Sequence, residues 1–285
     1  MTAAGWVWVA VAGVLAVLDW AAVAAGSRLL ERCAKPAVLL ALLAAALTAQ
    51  PRHSEVHGWL ILALCFGLIG DVALSFAPPG QPAGQLTSTA AASTAAASPA
   101  EALQPVSTGQ QPPAIEEPVK AAPAAPSGGA HRARPPAGAE LRAGAGQQPP
   151  SALFTAGLAS FLLGHLCYCA AMLNYGTDQL SLGFGLVLVL LALLAFGHRV
   201  LAGAQKQGGN ALTIAVAAYM TTLGSTVVLG IGTTSLWVAY GIVAFAFSDL
   251  VLATDRFVAR RGWAPLTVAI SYHFAQTLLL LGLVH

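Results

Sequence analysis

Charged residues are scarce in this sequence. Only 13 Lys or Arg and 11 Asp or Glu occur among 285 residues, which is 8 % of the chain, whereas soluble domains carry about a quarter. This deficit excludes an ordinary soluble domain, and the net charge of +2 leaves no excess of positive charge to hold a nucleic acid. No long segment alternates apolar and polar residues, so the sequence does not predict a transmembrane β-barrel either.

Cysteines are few, and none of their spacings predicts a covalent or metal site. The four thiols, Cys33, Cys65, Cys167 and Cys169, all fall in or beside apolar segments. Cys167 and Cys169 lie two positions apart, which places them roughly 200° apart around a helix and keeps them from facing one metal ion. The pattern indicates small buried side chains rather than disulfides.

Apolar blocks of about 20 residues are what the sequence has in abundance, and this is the length that crosses ~30 Å of hydrocarbon as a helix. The first block lacks the basic start of a signal peptide, since no Lys or Arg precedes Arg28, so we expect a retained span. The predicted fold is all-α, a polytopic membrane bundle of about eight transmembrane helices. The predicted spans are 6–25, 36–50, 58–77, 152–173, 180–198, 210–231, 236–254 and 265–283.

Residues 78–150 differ in composition from the rest of the chain. They hold 14 of the 17 prolines and no Phe, Trp or Tyr. Sequence rich in Ala, Pro, Ser and Gln cannot bury enough apolar surface to offset the entropy lost on ordering. We therefore predict a disordered insertion, with residues 1–77 (helices one to three) and 151–285 (helices four to eight) forming one membrane domain.

Lys and Arg concentrate in the loops that follow odd-numbered spans. These loops hold 12 of the 13 basic residues, and Arg52 is the exception. Without the long insertion, which obeys charge rules poorly, the bias is still 8 to 1. The positive-inside rule then predicts that both termini face away from the cytoplasm and that the insertion lies within it. The sequence favours neither the plasma membrane nor the endoplasmic reticulum.

A short internal similarity links the third and seventh predicted spans. "IGDVAL" and "FSDLVLA" each place an aspartate, Asp71 or Asp249, after a small residue, and each precedes a helix with a histidine, His165 or His273. An offset of four spans preserves helix orientation, so the pattern predicts a parallel 4 + 4 duplication. Chance similarity over so few residues is the alternative.

Asp71 and Asp249 lie inside otherwise apolar spans. A charged side chain at the bilayer centre costs about 2.5–3.5 kcal/mol, so such residues are functional candidates by default. Both lie five or six residues from the predicted cytoplasmic end of their helices, and this shared depth allows them to line one cavity. Structural capping or hydrogen bonding between helices is the alternative. Asp19, near the end of the first span, is a weaker third candidate, and an interfacial position is the alternative for it.

One lysine and several uncharged polar residues also fall inside the spans. Lys35 is either a snorkelling interface residue or a counter-ion for a carboxylate or a lipid phosphate, and Pro36 is expected in the first turn of the second helix. Hydrogen bonding between helices is the structural alternative for the tyrosines and the glutamine. The other candidates are His165 and Tyr168, spaced to share a helix face, Tyr272 and Gln276, spaced likewise, and Tyr219.

A zinc hydrolase is a weaker alternative. His165, His273 and the two aspartates supply suitable ligands, but no two of them have ligand spacing on one helix. His53 and His57 do have such spacing, yet they fall in a predicted exposed loop, where a solvated turn is expected. We therefore predict no metal.

Six pieces, taken in chain order, resemble the YhhN family, whose eukaryotic members include lysoplasmalogenases. They are "AKPAVLLALL" (34–43), "IGDVAL" (69–74), "FLLGHLCY" (161–168), "AVAAYM" (215–220), "AFSDLVLATDRF" (246–257) and "SYHFAQTLL" (271–279). The resemblance covers nearly all of the chain except residues 78–150, and it departs from the family at His273, where a tyrosine is more usual. It implies a membrane enzyme that hydrolyses the vinyl-ether bond of lysoplasmalogens to a fatty aldehyde and a glycerophospho-alcohol.

Hypothetical roles follow from this resemblance and from the chemistry of the residues. Enol-ether hydrolysis needs an acid that is protonated near neutral pH, an anion that stabilises the oxocarbenium ion, and water; no cofactor is expected. Asp71 and Asp249 are the predicted acid and stabiliser, and the sequence does not assign which is which. Lys35 is predicted to meet the phosphate. The residues predicted to bind the polar part of the substrate or water are His165, Tyr168, Tyr219, Tyr272 and Gln276. The expected partner is a lysophospholipid drawn from the bilayer, not a nucleic acid. The alternative is a proton- or cation-coupled transporter, or a lipid-binding protein, that uses the same aspartates.

Overall fold

The structure, a computed structural model, describes residues 1–77 and 152–285, so the predicted disordered insertion at 78–150 lies outside the described residues. All regular secondary structure within the described ranges is helical. The helices are α1 (Ala3–Ala24), α2 (Arg28–Leu47), α3 (Ser54–Phe76), α4 (Ala152–Tyr175), α5 (Gln179–Ala192), α6 (His198–Gly232), α7 (Leu236–Phe257) and α8 (Ala264–Val284). A π-helical turn, Leu193–Gly197, joins α5 to α6.

Six helical stretches of the described chain are long and apolar enough to cross a membrane. They are α1, α3, α4, α7, α8 and the 54-residue stretch Gln179–Gly232 that contains α5 and α6. Helix α2 is not among them, and its first turns carry Glu31, Arg32 and Lys35. The chain therefore has the helices of a multi-pass membrane protein, with six such stretches where the sequence predicts about eight spans.

The long stretch Gln179–Gly232 folds back on itself at two glycines. Gly209 has φ 62° and ψ −156°, a backbone conformation open essentially only to glycine. The two arms then run side by side, because the backbone N–H of Asp178 donates to the carbonyl of Gly232 at 2.8 Å and a Cβ on Gly185 would lie 2.9 Å from the Cα of Val228. One continuous helical stretch therefore supplies two antiparallel arms.

The helix that carries the fifth predicted span continues past the predicted span end at residue 198. Helical geometry continues through the segment "HRVLAGAQKQ" until Gly208. The apolar block does end near 198, but Ala, Leu, Arg, Gln and Lys all favour helix, so the backbone stays helical after the hydropathy falls. Arg199 and Lys206, which were expected in a loop, therefore lie on a helix.

The second helix begins before Lys35, a start that the sequence left open beside the predicted span start at residue 36. Helix α2 begins at Arg28, and Pro36 lies inside it rather than in its first turn. The helical residues before Pro36 are partly charged, so hydropathy did not reveal them, although most of them favour helix. Pro36 has no backbone N–H, so it cannot donate to the carbonyl of Arg32, four residues earlier in the helix. The side chain of Arg32 holds this part of α2 against α3, since its Nε donates to the carbonyl of Ser75 at 2.9 Å.

The predicted exposed turn around His53 and His57 holds for His53, which is exposed, and is wrong for His57. His53 is the residue before α3, and His57 lies in the first turns of that helix. The His57 Nε2 atom lies 2.9 Å from the carbonyl oxygen of Ala46. Glu55 in the first turn suits the positive end of the helix dipole, which favours starting the helix here.

Glycines allow the helices to pack closely. A Cβ on Gly70 would lie 2.7 Å from the ring of Phe161, so α3 and α4 approach at this distance only because Gly70 has no side chain. A Cβ on Gly241 would likewise lie 3.0 Å from the backbone nitrogen of Leu279 in α8. Helix pairs in membranes commonly use small residues in this way, since close van der Waals contact replaces the hydrophobic effect.

Large apolar side chains cover the outside of the bundle. Leu186, Leu191 and Leu194 are all exposed, and Gly185 is the only buried residue of α5. An apolar surface of this kind suits a lipid environment. The main buried core instead joins residues of α1 to α4, α6, α7 and α8, and it surrounds the polar groups described next.

Candidate active site

A cavity of about 640 Å³ lies among α4, α5, α6 and α7 and reaches α3 and α8. Most of its wall is apolar. Asp71 and Asp249 both line it, together with Lys35, Tyr219 and Tyr272. The structure therefore brings the two predicted catalytic carboxyl groups, which are 178 positions apart in the chain, to the wall of one cavity.

The two aspartates lie at somewhat different distances from their helix ends. Asp71 is five residues before Phe76, the last residue of α3. Asp249 is eight residues before Phe257, the last residue of α7. The expected spacing of five or six residues holds for Asp71 only, because α7 continues three residues past the predicted end at 254.

Asp71 is fully buried and has a cation beside it. Lys35 Nζ lies 3.6 Å from Asp71 Oδ1, and the Tyr272 hydroxyl donates to Oδ2 at 3.1 Å. The same ammonium lies 5.6 Å from the centroid of the Tyr272 ring, within range of a cation–π interaction. Of the two interpretations of Lys35, the geometry supports a counter-ion over a snorkelling surface residue.

Asp249 has two uncharged partners. The Tyr219 hydroxyl donates to Asp249 Oδ2 at 2.6 Å, and His165 Nε2 lies 3.7 Å from the same oxygen. The other ring nitrogen of His165, Nδ1, lies 2.8 Å from the carbonyl oxygen of Phe161. Because a carbonyl oxygen only accepts, Nδ1 carries the proton of the neutral ring. Nε2 is then an acceptor that faces the carboxyl group.

Corresponding helices build the two carboxyl sites. Asp71 on α3 is contacted from α2 and α8, and Asp249 on α7 is contacted from α6 and α4. A cyclic shift of four helices converts α2, α3 and α8 into α6, α7 and α4. This is the relation that the predicted 4 + 4 repeat requires, so the arrangement supports the repeat over chance similarity.

Three predicted substrate-binding residues lie behind the cavity rather than on its wall. The Tyr168 hydroxyl donates to Gln276 Oε1, and both side chains are buried. A Cβ on Gly67 would lie 3.5 Å from both Gln276 Nε2 and the Tyr272 hydroxyl, so these two groups meet at one point of α3. His165 contacts the cavity through Asp249. These side chains are placed to position the residues of the wall.

Phe245 was not found by sequence reasoning. Its ring centroid lies 4.7 Å from that of His165 and 5.4 Å from that of Tyr272, edge to face in both cases. The ring thus packs between the groups that hold the two carboxyls. A signal was present in the sequence, since Phe245 precedes Asp249 by four residues and therefore shares its helix face.

A second cavity, of about 380 Å³, adjoins the first. Lys35, Leu74 and Leu252 line both. The second cavity differs in being strongly charged, and it lies where α1 ends and α2 begins. Its charged wall residues are Asp19, Arg28, Glu31, Arg32, Lys35, Asp255 and Arg260.

Asp19 is fully buried and lines this second cavity, so the interfacial alternative is wrong. The end of α1 packs against α8, which covers the carboxyl group. His273 Nε2 lies 3.9 Å from Asp19 Oδ2, and the indole N–H of Trp20 donates to His273 Nδ1 at 3.2 Å. His273, whose role the sequence left open, therefore faces a third aspartate and not the main cavity.

Within residues 1–77 and 152–285, no three His, Cys, Asp or Glu side chains group closely enough to hold a metal ion. Asp19 and His273 also have no third metal ligand nearby in these ranges. The four cysteines are free thiols. Cys167 is buried as expected, Cys65 and Cys169 are partly buried, and the expectation of burial is wrong for Cys33, which is exposed at the charged start of α2.

Taken together, the helices and the cavity define a multi-pass membrane protein in which a buried carboxyl group, Asp71, and a partly buried one, Asp249, face a mostly apolar cavity. The sequence profile of the YhhN family matches residues 143–283, so the predicted resemblance to this family is confirmed for that part of the chain. The matched residues include Asp249 and His165 but not Asp71 or Lys35.

Two relatives with assigned names support the same family. Proteins named lysoplasmalogenase from Mycobacterium bovis and Mycobacterium tuberculosis are each 30 % identical to the chain over 132 residues. The alignment covers 45 % of this chain and 50 % of each relative, so the chain spans about half the length of the curated relatives it matches. No solved structure matches the chain.

Proposed function

We propose that the protein is a lysoplasmalogenase-like hydrolase that cleaves the vinyl-ether bond of a lysophospholipid to a fatty aldehyde and a glycerophospho-alcohol. The observation that carries this proposal is the pair of carboxyl groups, Asp71 and Asp249, on the wall of one apolar cavity. The names of the two mycobacterial relatives point to the same reaction.

The size of the main cavity suits a lipid with one chain. Its volume is about 640 Å³, which corresponds to roughly 20 groups the size of a water molecule at ~30 Å³ each. One long hydrocarbon chain has about this many methylene-sized groups, and two chains have about twice as many. The cavity therefore favours a lysolipid over a diacyl phospholipid.

The contacts of the two carboxyls suggest different roles. The ammonium of Lys35 makes Asp71 the anionic partner, suited to stabilise an oxocarbenium ion. Asp249 contacts only a tyrosine hydroxyl and an accepting histidine nitrogen, so it is suited to hold the proton that the acid must donate. The division resembles that between the two carboxyls of a glycosidase.

The proposed reaction begins with transfer of the Asp249 proton to the β-carbon of the vinyl ether, which leaves an oxocarbenium ion beside Asp71. Water adds to the cation and returns a proton to the carboxylate of Asp249. The resulting hemiacetal then collapses, breaking the carbon–oxygen bond to glycerol and releasing the aldehyde. Tyr219, Tyr272 and His165 hold the carboxyls in place, and Lys35 meets the phosphate.

The proposed membrane topology has eight crossings. The two arms of Gln179–Gly232 cross separately, and α2 crosses within the bundle although its first turns are charged. Both termini then lie on one side, away from the cytoplasm, and the charged cavity faces the cytoplasmic headgroups. This placement lets the phosphate stay near Lys35 while the chain enters the apolar cavity.

Purified protein given two lysolipids that differ only in the linkage of the chain tests the proposal. We expect aldehyde from the vinyl-ether lysolipid and no fatty acid from the acyl-ester lysolipid. Fatty acid from the ester, or no product from either, contradicts the proposal. Solute uptake driven by a pH gradient in proteoliposomes, without turnover of the vinyl ether, would instead favour the transporter alternative.

A further inference from the structure

The second cavity contains buried polar atoms that the proposed reaction has not used. Asp19 is fully buried, and neither of its carboxyl oxygens has a hydrogen-bond partner among the described residues. The His273 Nε2 atom, which faces Asp19, also has no hydrogen-bond partner among the described residues. Buried polar groups are almost always hydrogen-bonded to protein or to water, so these three atoms call for a small polar ligand.

The ring of His273 is oriented toward Asp19. The Trp20 indole N–H can only donate, so His273 Nδ1 accepts and the neutral ring carries its proton on Nε2. Nε2 lies 3.9 Å from Asp19 Oδ2, too far for a direct hydrogen bond. A polar contact at this distance is commonly bridged by water, which can accept from Nε2 and donate to the carboxylate.

The position of Asp19 relative to the main cavity gives such water a use. Lys35 lines both cavities, and its ammonium lies 3.6 Å from Asp71 Oδ1, an oxygen that also has no hydrogen-bond partner among the described residues. Carboxyl oxygens without a hydrogen-bond partner therefore occur on both sides of Lys35, at Asp19 and at Asp71. Hydrolysis consumes one water per bond cleaved, whereas the main cavity has a mostly apolar wall.

We propose that Asp19 on the wall of the second cavity, with His273 and Trp20 behind it, forms a water-binding site through which water enters the main cavity past Lys35. Asp19 holds the water by accepting its hydrogen bonds, and His273 fixes the orientation of that water. Both act through water and not on the lipid, so they are positioning residues. The use of this water in catalysis rests on the hydrolysis proposed above, but its presence at Asp19 does not.

Access of water to position 19 can be measured without any turnover. In protein whose four cysteines are replaced by alanine, Asp19→Cys is treated in liposomes with a membrane-impermeant thiol reagent added on both sides of the bilayer. Leu18→Cys is the matched control, because Leu18 lies one residue away, at the same depth, on the exposed outer face of α1. We expect labelling of Asp19→Cys and not of Leu18→Cys.

Two results of the labelling experiment overturn the water site. If Asp19→Cys is unlabelled, water does not reach the carboxyl position. If both variants are labelled equally, water reaches this part of α1 from outside and not through the second cavity. Neither result bears on whether the protein cleaves vinyl ethers.

Kinetics then test whether the site supplies the reaction. Asp19→Leu, which keeps the bulk and removes the acceptors, is expected to lower kcat about tenfold with little change in KM. Asp19→Asn keeps an acceptor and is expected to retain at least half of kcat. If the Asp19 carboxyl group has no role in the reaction, Asp19→Leu leaves kcat unchanged. That result overturns the supply of water through Asp19. Absence of turnover in the unmutated protein contradicts the proposed hydrolysis instead.

Discussion

Each carboxyl group of the main cavity accepts a hydrogen bond from a tyrosine. Tyr272 donates to Asp71 and Tyr219 donates to Asp249. A carboxyl group removed from water requires such donors, because an unsatisfied polar group in an apolar environment costs several kcal/mol. Tyrosine suits the position since its ring is apolar and its hydroxyl is at the tip. The tyrosines therefore fix the direction in which each carboxyl faces the cavity.

Tyr219→Phe removes the donor to Asp249 while keeping the ring. We expect kcat for aldehyde release to fall by up to about tenfold, since a hydrogen bond to an uncharged carboxyl group contributes about 0.5–1.5 kcal/mol and 1.36 kcal/mol corresponds to tenfold in rate. Tyr240→Phe is the matched control, because Tyr240 is exposed on the outside of α7. Equal activity of the two variants would show that the Tyr219 hydroxyl does not position the acid.

Some residues of the site could be predicted from the sequence, and others could not. Asp71 and Asp249 could be identified because a carboxyl group within an apolar block is costly and therefore conspicuous. Their partners could not, because the bond from Tyr272 to Asp71 joins residues 201 positions apart. The position of Asp19 was left open because a residue near a helix end is either interfacial or covered by a neighbouring helix, and only the packing of α8 decides this.

Among the helices, the hairpin of α5 and α6 encloses one side of the main cavity. The π-helical turn Leu193–Gly197 lies on the cavity wall, and such turns often occur at functional sites. The hairpin is fixed to α7 near its reversal, since Gln207 Nε2 donates to the carbonyl of Arg256 at 2.9 Å. A Cβ on Gly203 would lie only 1.9 Å from the carbonyl oxygen of Phe257.

Gly203→Ala tests this attachment. The added methyl group has no room against the α7 backbone, so the helices must separate, and we expect a loss of about 1–3 kcal/mol in the free energy of unfolding. Gly13→Ala is the control, because a Cβ on Gly13 meets nothing within 4 Å and alanine favours helix by roughly 0.5–1 kcal/mol over glycine. Thermal unfolding in detergent should rank Gly13→Ala above Gly203→Ala; the reverse order contradicts the close contact.

Helix existence was easier to predict than helix ends. Apolar length located every helix, but α2 begins at Arg28 and the hairpin arm runs on to Gly208, in both cases through charged or polar residues. Hydropathy reports where lipid contact ends, whereas helix geometry depends on backbone propensity. The two differ wherever a helix extends beyond the membrane or begins within a charged cavity.

At the scale of the whole molecule, basic residues collect at one end of the bundle. The ends of α1 and α7 and the starts of α2 and α8 contribute to the charged cavity there. The start of α1 and the end of α8 therefore lie at the opposite end, as an even number of crossings requires. The positive-inside rule places the basic end in the cytoplasm.

Single cysteines introduced into the cysteine-free protein test this orientation. Gln50→Cys lies between α2 and α3, at the end of the bundle that holds both termini, and Ser27→Cys lies between α1 and α2 at the basic end. Both positions are exposed. An impermeant thiol reagent should label Gln50→Cys in intact cells and Ser27→Cys only after permeabilisation. The reverse pattern contradicts the predicted orientation.

The measurement that most directly tests the account is aldehyde release from a vinyl-ether lysolipid by Asp71→Asn and Asp249→Asn. Asp178→Asn is the control, because Asp178 caps the start of α5 by accepting from the Ser181 N–H and asparagine caps equally well. General acid catalysis contributes about 10²–10⁴-fold, so each cavity variant should lose at least about 100-fold in kcat while the control stays active. Near-normal turnover by either cavity variant, in protein that still inserts and folds, would contradict the account.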